Sequence, residues 1–88
     1  MRISKTTQDK LQALLKDQGY IVRYERGNFQ GGYCIVMDQK TIIVNKFHPL
    51  ESKIGTLQEI IRQIDVDESL FSDDQKKLFK QVLAGIEE

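Results

Sequence analysis

One histidine, His48, and one cysteine, Cys34, are the residues of this 88-residue chain best suited to nucleophilic or metal chemistry. Zinc takes three or four His, Cys or carboxylate ligands in a tight cluster, and one His and one Cys fourteen residues apart do not supply them. A Ser-His-Asp or Cys-His pair has to use His48, which precedes Pro49 in a loop just past a strand. A histidine so placed reads as structural or solvated. Cys34 lies in a β-forming run between Tyr33 and Ile35, which reads as a small buried hydrophobe rather than an activated thiolate. The sequence therefore predicts no catalytic residues, no metal site and no cofactor.

The glycine-rich segment Gly27-Asn28-Phe29-Gln30-Gly31-Gly32 could suggest a phosphate loop. Phosphate loops join a strand to a helix and end in Gly-Lys-Ser/Thr, whereas this segment joins two strands and lacks that ending. Its glycines read as suppliers of positive φ in a hairpin. The composition around it is nonetheless that of a contact surface. Arg23, Arg26, Asn28, Phe29 and Gln30 place an aromatic among arginines and amides, and Phe47 and His48 at the end of the third strand extend the group. The alternative is that Phe29 folds back as a plug on the core. Glu59 and Arg62, three apart on a helix, read as an exposed pair, and Lys76, Lys77 and Lys80 as a solvated face.

The elements that must position these residues follow from periodicity. Leu11, Leu14 and Leu15 give one helical stripe over about Thr7–Gln18, with Thr6 and Asp9 as a start signal and Gly19 as the stop. Tyr20–Arg26 alternates, with Tyr20, Val22 and Tyr24 on one face. Tyr33–Met37 and Thr41–Lys46 are β-rich, and Asp38-Gln39-Lys40 between them reads as a tight hairpin. Ile54, Leu57, Ile60, Ile61 and Ile64 form the broad face of a second helix, which begins near Thr56 as a capping box with Glu59 or earlier, at Leu50-Glu51-Ser52. Ser72 and Gln75 cap a third, whose apolar face is Leu78, Phe79, Val82, Leu83 and Ile86. The order is α-β-β-β-α-α. Short connections favour antiparallel neighbours, so the reading is a single α+β domain over residues 1–88, a three-stranded antiparallel meander packed against helices.

Composition narrows the partners. Thirteen basic and thirteen acidic residues give a net charge of zero, with seven basic and four acidic residues in 1–44 against six and nine in 45–88. That asymmetry is too small to draw nucleic acid or an anionic membrane by bulk charge. No apolar run approaches the roughly 20 residues of a membrane helix. The single cysteine cannot form an internal disulfide, and the polar stretch Lys5–Lys10 follows the first residues too closely for a signal peptide, so the expected compartment is the cytoplasm.

Three resemblances bear on function. Residues 27–34, with Val44-Asn45-Lys46-Phe47 and Pro49-Leu50-Glu51, look like a family of small bacterial proteins known as a domain of unknown function, which implies no activity. Thr56-Leu57-Gln58-Glu59-Ile60-Ile61-Arg62, on a helix after a strand ending in Asn, is similar to the zinc helix of the minimal IrrE/ImmA-type metallopeptidase domain. Glu59 falls at the place of that family's catalytic Glu, while Gln58 and Arg62 stand where its zinc-ligating histidines belong. The resemblance thus implies a degenerate, non-catalytic relative, because neither group replaces imidazole at zinc. The order helix, three antiparallel strands, helix also resembles a double-stranded RNA-binding domain. Leu50-Glu51-Ser52-Lys53 lacks that family's lysine cluster, so nucleic acid is not the expected partner. The expectation is a non-enzymatic binding or regulatory module, contacting a protein partner or a second copy of itself. The enzyme alternative is a hydrolase using Glu59, His48 or Cys34.

Overall fold

The computed structural model describes residues 2–26 and 33–85, with Tyr33 and Met37 described by their backbone alone. Three helices, α1 (Lys5–Asp17), α2 (Leu50–Gln63) and α3 (Asp73–Ala84), and three strands, β1 (Ile21–Glu25), β2 (Tyr33–Val36) and β3 (Thr41–Asn45), follow in the order α1-β1-β2-β3-α2-α3. Single 3₁₀ turns at Met37–Gln39 and Glu68–Leu70 complete the elements. The single-domain α+β class and the order of elements agree with the sequence reading.

The sheet does not. β3 lies between β1 and β2, pairing in parallel with β1 and antiparallel with β2. The sheet is mixed, ordered β1-β3-β2, and the antiparallel meander read from the sequence is corrected. A short connection fixes opposite directions for β1 and β2 but not adjacency. Strands about 4.8 Å apart leave roughly 10 Å across one intervening strand, well inside the reach of the six residues 27–32 at about 3.3 Å each. The middle place falls to the strand with most to bury. Ile42 and Val44 have no solvent exposure, whereas β1 carries Arg23 and Glu25, which suit an edge.

Strand parity then sorts the faces. Val22 and Ile35 flank Ile42 in register, and Tyr24 flanks Val44, all packed against the core. The opposite face carries Ile21, Arg23 and Cys34, all exposed. The expectation that Cys34 is buried fails here, because Ile35 takes the inward place and its neighbour must point out.

The helices cover the inward face. Leu11, Leu14 and Leu15 of α1 and Ile54, Leu57, Ile60 and Ile61 of α2 are buried with the sheet residues, each stabilising by about 1.5–3 kcal/mol. α1 starts two residues earlier than the Thr6 signal: Ser4 caps it, its Oγ accepting from Thr7 N–H at 3.1 Å, and Asp9 pairs with Lys5 at 2.8 Å. Thr56 does not cap α2, which already runs from Leu50 after Pro49. The capping box of α3 is present in full: Gln75 N–H donates to Ser72 Oγ at 3.2 Å and Ser72 N–H to Gln75 Oε1 at 2.8 Å. Its apolar face is narrower than its spacing suggests, with Phe79 and Val82 buried but Leu83 exposed, and Ile86 lies outside the described residues.

Polar ties join helix ends. The Gln18 amide accepts from Asp67 N–H at 2.8 Å and donates to Asp67 C=O at 3.0 Å. Gln75 Nε2 donates to Asp17 Oδ2 at 2.6 Å, and Arg62 Nε to the Val82 carbonyl at 2.9 Å. Among the described residues no helix is long and apolar enough to cross a membrane.

Two measurements check this frame. Ile21 N–H donates to Lys40 C=O and Glu25 C=O accepts from Lys46 N–H, so the odd-numbered residues of β1 bond to β3 while Val22 and Tyr24 present theirs away from it, to an edge without a further strand among the described residues. Hydrogen exchange is expected to be slow at three successive amides, Ile42, Ile43 and Val44, and faster at Val22 and Tyr24. Fast exchange at alternate β3 amides would place β3 at an edge and refute the order. Gly19 sits at φ +89° between α1 and β1. Gly19→Ala is expected to lower unfolding stability by about 1 kcal/mol or more in denaturant titration, since a Cβ disfavours that conformation.

Candidate functional site

β1 and β3 end side by side. Glu25 and Asn45 are the last paired residues, so Arg26 and Lys46 leave the sheet as immediate neighbours. The chain then turns from β3 into α2. Asn45 Oδ1 accepts from Phe47 N–H at 2.9 Å, and Asn45 C=O accepts from His48 N–H at 3.2 Å, an Asn-directed turn of the kind short amide side chains favour. The turn brings the Phe47 ring to both cations. The Arg26 guanidinium carbon and Lys46 Nζ each lie 5.3 Å from the ring centre. Phe47 is 62% exposed, the highest value among the exposed large hydrophobic residues of the described structure.

A second aromatic–cation pair stands beside the first. Lys53, in the first turn of α2, holds Nζ 5.7 Å from the centre of the half-buried Tyr24 ring. The Tyr24 hydroxyl donates to Gln12 Oε1 at 2.8 Å. The same end of the sheet thus gathers three cations and two aromatic rings. Among the described residues Arg26, Lys46 and Lys53 have no carboxylate within salt-bridge distance, whereas Arg23 pairs with Glu25 at 3.1 Å and Lys5 with Asp9 at 2.8 Å.

Of the residues singled out from sequence, Arg26 and Phe47 come together and half-buried His48 follows in the same turn. Arg23 stands on the outer face of β1, occupied by Glu25. Asn28, Phe29 and Gln30 lie outside the described residues, as does the question whether Phe29 is a plug. Lys46 and Lys53 were not singled out. The signal for Lys46 was the parallel pairing of β1 with β3. In a β1-β2-β3 meander, Arg26 and Lys46 stand two strands apart, and only the observed order makes them neighbours.

The other chemistry-bearing residues are dispersed. Cys34 stands on the outer sheet face opposite Ile43, His48 past the end of β3, and Glu59 exposed on α2. Of the two α2 positions compared with zinc-ligating histidines, Gln58 is buried and Arg62 is bonded to the Val82 carbonyl. Among the described residues no three His, Cys, Asp or Glu come together to hold a metal. The double-stranded RNA-binding resemblance rested on three antiparallel strands, an order this sheet does not have. Comparison with known proteins gives no match to this chain among family models, curated proteins or solved structures.

Burial pushes the Tyr24 phenol above its ordinary pKa of 10.0, against the opposing influences of the Gln8 amide and the charge of Lys5. A folded pKa above the unfolded one means the native state holds this proton longer. The resulting stability is present below pH 10.0 and lost as pH rises through the folded value. Phenolate absorbance is expected to show Tyr24 ionising above that ordinary value, a step absent in Tyr24→Phe. That variant is also expected to lose about 1 kcal/mol at neutral pH with its hydrogen bond to Gln12.

Proposed function

We propose that this chain is a non-enzymatic binding module, and that Arg26, Lys46 and Phe47, with His48 beside them, form its contact surface. One observation carries the reading: an exposed phenylalanine with two cations over its ring, both without carboxylate partners among the described residues. Aromatic and arginine side chains are over-represented among the residues that dominate protein interfaces. The ring is also pre-positioned. The Asn45 turn fixes the backbone of Phe47 and His48, so little conformational freedom is left to lose on binding. The dispersal of Cys34, His48 and Glu59 supports binding over hydrolysis, since nucleophile and base have to meet within hydrogen-bond reach.

The test is affinity capture from a native lysate with three baits: the unaltered chain, Phe47→Ala, and the Arg26→Ala/Lys46→Ala double variant. All three are expected to fold, because the altered side chains are exposed. Loss of a hot-spot contact worth at least about 2 kcal/mol weakens binding roughly thirtyfold, so a partner captured by the unaltered chain is expected to be lost from both variants. Retention of every partner by both variants overturns the assignment.

A further inference from the structure

The charge of this surface, which has no carboxylate partner among the described residues, says what it takes. Arg23 and Lys5 are each held by a carboxylate of their own chain, while Arg26, Lys46 and Lys53 rest on aromatic rings. A cation over a ring uses the ring's quadrupole and leaves its N–H groups free to donate elsewhere. For Arg26 the donors form a planar fork that fits a carboxylate in two parallel hydrogen bonds. For the lysines they are point charges. Three cations beside one exposed apolar ring therefore call for a ligand carrying a few negative charges and one apolar group.

The extent of the patch limits how long that ligand can be. Glu25 is the residue before Arg26, and Glu51 lies in the first turn of α2 two residues before Lys53. Beyond the patch the chain offers no net positive field, with thirteen basic against thirteen acidic residues. Nucleic acid affinity grows with the number of phosphates neutralised, and three local cations neutralise few.

We infer that this surface binds a short acidic segment of a partner protein, its carboxylates on Arg26, Lys46 and Lys53 and an apolar side chain against Phe47. This rests on the binding-module reading and adds the chemistry of the partner to it.

The experiment is a titration of the isotope-labelled full chain, followed by amide chemical shifts, with a capped hexaglutamate peptide as probe and hexalysine and a single-stranded oligothymidylate as comparisons. Hexaglutamate is expected to shift the amides of Arg26, Lys46, Phe47 and Lys53. The effect is expected to weaken as ionic strength rises from about 0.01 to about 0.15 M and the screening length shrinks from roughly 30 to roughly 8 Å. Arg26→Glu/Lys46→Glu is expected to weaken binding at least about tenfold, or roughly 1.4 kcal/mol, and Lys46→Arg to retain it. Lys77→Glu on α3 serves as the charge control and is expected to leave it unchanged. Absence of shifts, equal shifts with hexalysine, tighter binding of oligothymidylate, or indifference to the double reversal each overturns the inference. If hexaglutamate fails while Phe47→Ala still loses its captured partner, the acidic-segment assignment falls and the binding module stands. If the captured partner survives Phe47→Ala and Arg26→Ala/Lys46→Ala, the underlying reading falls.

Discussion

Ile42 and Val44 have no access to solvent, and the arrangement of the molecule follows from meeting that burial. An edge strand leaves one side of each inward residue open, so β3 needs a strand on both flanks and helices over one face. β1 supplies Val22 and Tyr24 on one flank and β2 supplies Ile35 on the other, each in register. Because β2 reaches β3 through a single 3₁₀ turn, those two strands have to be antiparallel, and β1 can take the remaining flank only in parallel. The chain then leaves the centre of the sheet at Asn45 and crosses back over its inward face as α2. The candidate site stands at that exit.

The helical layer is held against the sheet by groups that also solve a local problem. Backbone donors and acceptors at helix ends have no partner within their own helix. The Gln18 amide satisfies the N–H of Asp67 between α2 and α3 and adds a donor to its carbonyl, and Arg62 shares the Val82 carbonyl in the last turn of α3 with Gly85 N–H. Gln75 serves twice, closing the capping box of α3 through Oε1 and reaching Asp17 of α1 through Nε2. These contacts fix α1, α2 and α3 relative to one another at the end of the sheet opposite Phe47. The end that carries Phe47 is fixed instead by the Asn45 turn and by Tyr24, whose hydroxyl is tied to Gln12 of α1.

Where period alone decides, the sequence was legible. The stripes of α1 and α2, the parity of β1, the capping box at Ser72 and the left-handed Gly19 are local properties, and each stands where residue spacing put it. Strand order was not legible, because which strands become neighbours is a competition for burial among segments far apart in sequence. Helix starts were ambiguous for a related reason. Ser4 and Thr6 are both competent caps, and Thr56 is competent too, yet it lies mid-helix because α2 already runs from Leu50. The site was half legible. Residue type singled out Arg26, Phe47 and His48, but Lys46 joins them only through the parallel pairing that short connections had argued against.

An exposed phenylalanine on a chain of zero net charge is a hazard, since nothing at long range keeps copies apart. The cations around Phe47 act on that hazard at short range. Each contact with the ring is worth about 0.5–1 kcal/mol at an exposed site, less than the roughly 1.5–3 kcal/mol of burying the side chain, so the ring keeps a drive toward burial. Two copies meeting ring to ring bring Arg26 and Lys46 of each against those of the other, and like charges juxtaposed at an interface are costly. The same pair of cations that opposes self-association through this face attracts an anionic surface. On the proposed reading, the arrangement discriminates by charge before the ring makes contact, favouring an acidic partner over a second copy of the chain.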